Sequence, residues 1–428
     1  MEEIHFIGVL VGLAVGIFLI VKKLTPVAAL FFGAVVGALV GGVNIQDVLR
    51  YIIEGSGSVM GINARVIAGG VLAGVLIESG AAETIARSIV KKLGISRSLF
   101  ALALATGIIT ASGIFIAVSI ILMAPIALSV ARQAGISKMA VLLAVSGGGK
   151  SGNIISPNPQ SVTVSDVFDV PLGEVMMAGF VPMLFALSLT VILAGLIKNK
   201  GAKVSPEDVS DDEHSKTLPS LSKSIVAPVV AISLLMLGSV GSIFGIEFLK
   251  NIKLDAFFVL PIAAVVGALV MGKGRNIIAY ANSGIMRMLP IVIILIGAGA
   301  LGGIIVNSNL SQVVIAAIYQ IGLPPVLLAP LSSTLMAGAA SSTATGVLLA
   351  TACFGETIMQ LGIAPLSAAV MINSGAMFID VMPHGNIFLA SKEAYKITMK
   401  ERLKLMPYEI AVGGVIVVSA TVLFGFVF

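Results

Sequence analysis

Uninterrupted apolar segments, separated by short polar connections, recur along the whole chain. A segment of about 20 apolar residues crosses the roughly 30 Å hydrocarbon core of a bilayer as an α-helix. Segment 259–271 is apolar on every face, whereas the strands of a membrane β-barrel alternate in polarity. The pattern predicts ten membrane-spanning helices, near residues 4–21, 26–43, 65–80, 139–156, 174–197, 224–242, 254–271, 289–306, 364–384 and 408–428.

Two further apolar segments, 99–131 and 325–360, each contain a run of small polar residues, at 110–113 and 338–343 respectively. Backbone leaves the helical conformation at membrane depth only where it is buried in protein or lines a cavity. Each segment is therefore predicted to form a re-entrant helical hairpin rather than two spans.

The chain also contains an internal repeat. Residues 34–40 are identical to residues 264–270, and residues 67–80 resemble residues 296–309, with an offset of about 230 in both cases. Each half holds five predicted spans, an odd number, so the second copy is expected to be inverted relative to the first. The predicted fold is an all-α polytopic membrane protein: repeat 1–197 with hairpin 99–131 and broken helix 139–159, cytoplasmic linker 198–223, and repeat 224–428 with hairpin 325–360 and broken helix 364–386.

Composition and charge agree with this arrangement. Of the residues, 57% are hydrophobic and 11% are charged, whereas a soluble domain carries roughly 25% charged residues. The Lys and Arg clusters fall on one side of the ten spans, which the positive-inside rule makes the cytoplasm, while segment 307–325 has no charge and falls outside. The net charge of +5 therefore reflects topology and not a nucleic-acid partner, and the expected location is the cytoplasmic (inner) membrane.

The first broken helix has an unusual sequence at 146–159, with three consecutive glycines and two prolines. Such a run is predicted to unwind and to free backbone N–H groups, which favour a carboxylate or phosphate. The text resembles a nucleotide-binding phosphate loop, but Ala144 stands where that loop needs glycine. Lys150 costs about 3 kcal/mol at helix-centre depth, so it is expected to have a counter-ion or a substrate. The alternative to such a buried partner is that the Lys150 side chain extends to the outer surface of the membrane.

The second broken helix carries Asp380 and His384, four residues apart and on one face if the helix persists. Either side chain is a candidate carrier of a coupling proton. By the repeat, Asp380 aligns with Asn153 and lies about one turn from the equivalent of Lys150, so an acid and a lysine are predicted to meet; a structural ion pair explains this equally well. An interfacial role is the alternative for His384.

Of the other acids, Glu356 in the second hairpin is a candidate for the substrate path, whereas Glu78, Glu174 and Glu409 at span ends are expected to be solvated.

These motifs resemble the gluconate:proton symporter family of the ion transporter superfamily. The resemblance covers nearly the whole chain and rests on the paired hairpins, on 147–149 leading to the break at 157–159, and on 383–386 in the second copy. It differs at 155–159, where gluconate members have a histidine-bearing break. The resemblance implies uptake of sugar acids, small hydroxy acids or D-serine with protons and without ATP. It also implies that the hairpin tips and broken helices bind the substrate carboxylate, through Ser112, Gly113, Asn153, Ser156, Asn158, Ser341, Ser342, Thr343 and Asn373, beside Lys150.

The function predicted from the sequence is proton-coupled symport of a small organic carboxylate such as gluconate, glycerate or D-serine. The alternatives are a sodium/proton antiporter, with Lys150 and Asp380 as an exchanging pair, and a sodium-coupled carboxylate carrier. An enzyme is disfavoured because the sequence contains no zinc-binding His–Glu pattern and no nucleophile triad. No cofactor beyond the coupling ion is expected; the expected partners are the anion, membrane lipid and a second copy, with the glycine stripe at 33, 37 and 41 as a packing surface.

Overall fold

The computed structural model describes residues 4–208, 218–250, 252 and 254–427, and the acidic middle of the predicted linker, 209–217, lies outside them. The described residues form α-helices joined by short turns, with two isolated bridges in place of strands. The all-α prediction is therefore confirmed. The helices are α1 Phe6–Val21, α2 Pro26–Val40, α3 Ile45–Ser58, α4 Met60–Glu78, α5 Ala81–Leu93, α6 Ser98–Ala111, α7 Ile116–Ala134, α8 Lys138–Asn153, α9 Pro159–Val167, α10 Leu172–Ala178, α11 Phe180–Leu196, α12 Leu221–Ser224, α13 Val226–Phe244, α14 Glu247–Lys250, α15 Ala256–Val270, α16 Ile277–Val306, α17 Leu310–Ile321, α18 Leu328–Ala340, α19 Thr343–Gln360, α20 Pro365–Gly375, α21 Asn386–Ala394 and α22 Met399–Val422.

The same series of helices occurs twice. Helices α2 and α15 both have 15 residues, and α9 and α21 both have 9. Two hairpins, α6–α7 and α18–α19, occupy matching places, each followed by a helix that ends early, α8 or α20. The copies differ where α3 and α4 of the first correspond to the single 30-residue α16 of the second.

Two glycine contacts between α16 and the helices α3 and α4 reveal how the copies are related. A Cβ atom placed on Gly284 would lie 1.9 Å from the carbonyl oxygen of Gly70, and one placed on Gly55 would lie 2.2 Å from that of Gly299. Gly55 and Gly284 are repeat equivalents, as are Gly70 and Gly299. Each contact is thus the other with the copies exchanged, which is what a two-fold axis between the repeats produces.

The glycine stripe of α2 packs inside the chain. A Cβ atom on Gly33 would lie 2.5 Å from the carbonyl oxygen of Gly12, and one on Gly37 would lie 3.0 Å from that of Gly8. These glycines allow α1 and α2 to pack closely. The stripe therefore gives no support to the predicted homodimer, which stays a prediction.

Several predicted spans have different lengths in the structure. Helix α16 begins at Ile277 and α22 begins at Met399, both well before the apolar segments that predicted them, whereas α20 ends at Gly375. By length and composition, five of the described helices can cross a membrane, or up to seven if two bent pairs each count as one span. The chain is a multi-pass membrane protein; the count of ten crossings stays a prediction.

Both hairpins turn within a few residues. Helix α6 has 14 residues and rises about 21 Å at 1.5 Å per residue, so it is shorter than a hydrocarbon core. At the tips, Gly113 has φ +99° and Ser341 has φ +48°. Glycine adopts this left-handed conformation freely, whereas Ser341 is held there by contacts described below.

The glycine run in the first broken helix is helical, so the prediction that it unwinds is wrong. Helix α8 continues through the glycines to Asn153, and the break comprises residues 154–158. A Cβ atom on Gly148 would lie 2.1 Å from the carbonyl oxygen of Ala103, and one on Gly152 would lie 1.9 Å from that of Gly107. The glycines let α6 and α8 touch backbone to backbone, and this packing outweighs their intrinsic cost of about 1 kcal/mol each.

The second break is longer than the first. Helix α20 ends at Gly375 and α21 begins at Asn386, so Asp380 and His384 lie in the irregular segment 376–385. Because no helix persists there, the predicted shared helix face of these two side chains does not exist. We refer to residues 376–385 as the second break.

Candidate functional site

A buried ion pair joins the two copies. The Nζ atom of Lys150 in α8 lies 2.5 Å from Oδ1 of Asp380 in the second break, and both side chains are 1% exposed. In the repeat alignment the counterpart of Lys150 is Met377, whose carbonyl oxygen accepts a hydrogen bond from Nζ at 2.8 Å. A residue that contacts its own counterpart lies next to the two-fold axis. The ion pair is therefore central to both copies, and the extension of Lys150 to the outer surface is excluded.

Every N–H group of the Lys150 ammonium has an acceptor. An ammonium has three donors, and the acceptors are Asp380 Oδ1, the carbonyl oxygen of Met377 and, at 3.4 Å, the carbonyl oxygen of Glu409 in α22. The cation is thus fully coordinated by protein. An incoming anion can reach Lys150 only by replacing one of these acceptors, and Asp380 is the one whose charge an anion would substitute.

The tip of the second hairpin holds Asp380 from the other side. Thr343, the first residue of α19, donates from Oγ1 to Asp380 Oδ2 at 2.6 Å. Ser341 donates from Oγ to the carbonyl oxygen of Met382 at 3.1 Å and accepts from the N–H of the same residue at 2.9 Å. Gly385 faces Ser341 so closely that a Cβ atom would lie 1.9 Å from its Oγ. These contacts between the second hairpin tip and the second break hold Ser341 in its left-handed conformation.

The first hairpin tip is tied to the first break in a similar way. Ser156 donates from Oγ to the carbonyl oxygen of Thr110 at 2.6 Å. Asn158 caps α9 by accepting from the N–H of Ser161 at 3.0 Å, and it donates to Asn153 Oδ1 at 2.7 Å. Ser112 donates within its own helix and lies at the tip beside Gly113. All of these predicted side chains are buried, and hydrogen bonds hold those of Asn153, Ser156 and Asn158 at the first break.

A buried amide network also links the two copies. Asn373 in α20 accepts from Gln160 Nε2 at 3.2 Å and donates to Ser161 Oγ at 3.3 Å. Gln160 and Ser161 were not predicted. Their signal was their place in the first turn of α9, directly after Pro159, the residue at which that helix begins.

A second buried ion pair lies within α22. Arg402 donates from Nη1 to Glu409 Oε2 at 2.5 Å and from Nε to Ser391 Oγ at 3.0 Å, and its guanidinium lies 4.5 Å from the centre of the Phe388 ring. Glu409 is 1% exposed, so its predicted solvation at a span end is wrong. Helix α22 begins nine residues earlier than predicted, which places Glu409 nearly three turns inside it. The spacing of seven between Arg402 and Glu409 was the available signal.

Three predicted residues are not buried. Glu356 is exposed and accepts from Gln360 at 3.1 Å. His384 is exposed, with its ring nitrogen 3.1 Å from the carbonyl oxygen of Ala339. Ser342 caps α19 through Thr345. The hairpin tip therefore contributes Ser341 and Thr343 to the centre.

A cavity of about 450 Å³ opens among α4, α9, α10 and the ends of α13 and α15. Arg65 forms an ion pair with Asp255 at 2.7 Å and another with Asp166, which joins the first copy to the second. Asp169 and Glu174 add two further carboxylates to the lining. In the predicted topology this acidic cavity lies at the outer end of the molecule.

Known proteins resemble this chain over nearly its whole length. An uncharacterized transporter of Haemophilus influenzae is 46% identical over 425 residues, covering 99% of each chain. The D-serine transporter DsdX of Escherichia coli is 24% identical, covering 98% of this chain and 97% of its own. A high-affinity gluconate transporter of Escherichia coli is 22% identical, covering 92% of this chain and 94% of its own.

The solved structures include the same fold. The crystal structure of the YdaH transporter of Alcanivorax borkumensis, described as having an unusual topology, covers 89% of each chain with a TM-score of 0.63 and 18% identity. Residues 4–427 match the model of the GntP family permeases. With a buried ion pair between inverted copies and a family match from end to end, the chain belongs to the GntP family of membrane permeases and is not an enzyme.

Proposed function

We propose that this permease takes up a small organic carboxylate, most simply a sugar acid such as gluconate, together with a proton across the cytoplasmic (inner) membrane. One observation carries the proposal: the buried Lys150 ammonium is fully coordinated, and one of its three acceptors is the carboxylate of Asp380. A substrate carboxylate has the same charge and geometry as that acceptor. It is therefore a chemical replacement for Asp380 at Lys150.

The coupling follows from charge balance. Binding a carboxylate alone would leave two anions facing one buried cation, and protonating Asp380 alone would leave Lys150 without a counter-ion. An uncompensated buried charge costs about 3–5 kcal/mol. If Asp380 is protonated when the substrate carboxylate replaces it as the acceptor at Lys150, one anion still faces one cation and the site stays neutral. Proton and anion thus bind together.

The surrounding neutral groups suit a hydroxylated substrate. Gluconate and D-serine both combine a carboxylate with at least one hydroxyl group, and relatives of this chain are named for them. Hydroxyl and amide side chains around the breaks both donate and accept hydrogen bonds. We assign substrate contacts to the two hairpin tips and to the amide network, through Ser112, Gly113, Asn153, Ser156, Asn158, Gln160, Ser341, Thr343 and Asn373.

Movement of the hairpins would expose the site to alternate sides. Asp380 is bonded to the second hairpin tip, whereas Lys150 belongs to α8, which packs against the first hairpin helix α6. Separating the ion pair therefore releases one hairpin-bearing part from the other. The glycine contacts between α16 and the helices α3 and α4 form a tightly packed frame for this motion.

Transport into proteoliposomes tests the proposal. Labelled gluconate should accumulate against its gradient when the interior is alkaline, and an inward sodium gradient should not replace the proton gradient. Asp380→Asn should still carry gluconate down its gradient, because Lys150 is free to bind it, but should lose proton-driven accumulation. Glu356→Gln removes an exposed carboxylate and serves as the control, with unchanged transport.

A cation:proton antiporter is the second candidate function, favoured by the acidic cavity beside Arg65. The same vesicles separate the two functions. Proton release driven by external sodium, with no uptake from a panel of gluconate, glycerate and D-serine, would establish the antiporter and overturn the symporter.

A further inference from the structure

Helix α5 has the geometry of a helix that lies along a membrane surface. The helical segments Ala81–Leu93 and Ile95–Ala111 are bent by 106° relative to each other, so α5 runs nearly perpendicular to the hairpin helix α6. Its first two turns bury the apolar residues Ala82 and Ile85, while Lys91 and Lys92 lie in its last turn, at the surface. Buried apolar residues together with exposed basic residues are typical of interfacial helices.

A cavity of about 470 Å³ lies between α5 and the end of α7. Among the residues that the structure describes, its polar lining consists of two cations, Arg87 and Lys91, and two neutral groups, Ser129 and Gln133. Arg87 is oriented by Glu83, one turn earlier, whose Oε1 accepts from its Nε at 2.9 Å. The rest of the lining is mainly apolar and includes isoleucine and valine side chains of α5 and α7.

We propose that this cavity binds the headgroup of an anionic phospholipid of the cytoplasmic leaflet. The lipid phosphate is placed between Arg87 and Lys91, and headgroup hydroxyls reach Ser129 and Gln133. The acyl chains then lie against the apolar part of the lining, which includes Val90, Ile126 and Val130. Basic pockets between helices on the cytoplasmic side bind such headgroups through the same chemistry.

The second copy provides an internal comparison. Helix α17 is the repeat equivalent of α5, and the segment 307–325 that contains it has no charged residue. The fold therefore does not require basic residues at this position. The positive-inside rule accounts for cations near the cytoplasmic surface, but it does not account for two cations and two neutral donors around one cavity. A ligand that combines phosphate, hydroxyl groups and acyl chains accounts for all of them.

Binding of a fluorescent phosphatidylglycerol to the purified full-length protein in neutral detergent tests this proposal. Lys91→Gln removes one exposed cation, and binding should weaken about fivefold, as expected for one basic residue near an anionic headgroup. Gln133→Ala should weaken it as well. Lys400→Gln, an exposed lysine of α22 outside the cavity, is the matched control and should bind as the unmodified protein does.

Two further probes separate the lipid from other ligands. Labelled phosphatidylcholine should bind weakly and should not respond to Lys91→Gln, and inorganic phosphate at millimolar concentration should not displace phosphatidylglycerol. Displacement by phosphate alone would assign the cavity to small anions and overturn the proposal. Equal weakening by Lys91→Gln and Lys400→Gln would also overturn it, since that result means general surface attraction. Thermal unfolding of each variant verifies that it is folded.

Discussion

At the scale of single residues, the centre of the molecule depends on a difference between the copies. Lys150 corresponds to Met377 and Asp380 corresponds to Asn153, so each copy contributes one charge where the other has a neutral residue. The two charges meet beside the axis with 1% exposure each. A perfectly symmetric duplication would place two like charges there or none.

The ion pair predicts a strong energetic coupling between its members. Lys150→Met alone and Asp380→Asn alone should each lower the free energy of unfolding by about 3–5 kcal/mol, because each leaves a buried charge without a partner. The double variant should lose much less than the sum. Unfolding of the four proteins in mixed micelles, arranged as a double-mutant cycle, measures the coupling. Additive losses would show that the two side chains do not stabilise each other.

At the scale of helices, the small residues decide which segments can touch. Sequence patterns identified both breaks and both hairpins, because proline and clustered small polar residues are local signals. They misread the glycines of α8, since the reason for those glycines is α6, some 40 residues earlier in the chain. They missed the ion pair Arg402–Glu409 because the charged residues in the first turns of α22 interrupt the apolar pattern that predicts a membrane-spanning helix. Local sequence reports where a helix breaks, whereas packing partners distant in sequence decide whether a glycine run remains helical.

The contact between α6 and α8 predicts a position-specific effect of alanine. Gly148→Ala should destabilise the protein by at least the 1–3 kcal/mol or so typical of overpacking, because its Cβ would lie 2.1 Å from a backbone oxygen that cannot move aside. Gly57→Ala in α3 is the matched control: apart from the adjacent backbone of α3 itself, no described atom lies within 4 Å of the position that its methyl group would take, and alanine should raise stability by about 0.5–1 kcal/mol. Thermal unfolding in detergent measures both. Equal effects at the two positions would contradict the close contact.

At the scale of the whole molecule, the described part of the linker fastens the two copies together on the predicted cytoplasmic side. Asp208 accepts from Lys138 Nζ at 2.8 Å and from the N–H of Ser205 at 2.8 Å, and Lys138 also donates to the carbonyl oxygen of Lys396 in the second copy. Ala202 donates from its N–H to Glu401 of α22. The linker is thus attached to α8 and to the start of α22, beyond its role as a connection.

The attachment predicts a dependence on pH. Burial alone would raise the pKa of Asp208, but hydrogen bonds from Lys138 and Ser205 lower it from 3.8 to about 2. Because the pKa of Asp208 is lower in the folded protein than in the unfolded chain, the ionised carboxylate stabilises the folded form at any pH above about 4. This stabilisation is lost as the pH falls from about 4 to about 2. The protection of the amides of residues 198–208 against hydrogen exchange, measured relative to the intrinsic exchange rate at each pH, should fall over that interval. In Asp208→Asn the exchange should already be fast at neutral pH and should show no such transition; an unchanged profile in this variant would contradict the assignment.

The paired glycine contacts also bear on ancestry. Gly55 touches Gly299 and Gly70 touches Gly284, so a half-length polypeptide bearing both glycines would make the same two contacts with a second copy of itself inserted the other way up. Such a polypeptide would have to enter the membrane in both orientations. Its lysines and arginines would then be divided evenly between its two ends. A single chain that holds both halves is free of that constraint, so each half can carry its own charge, a lysine in one and an aspartate in the other.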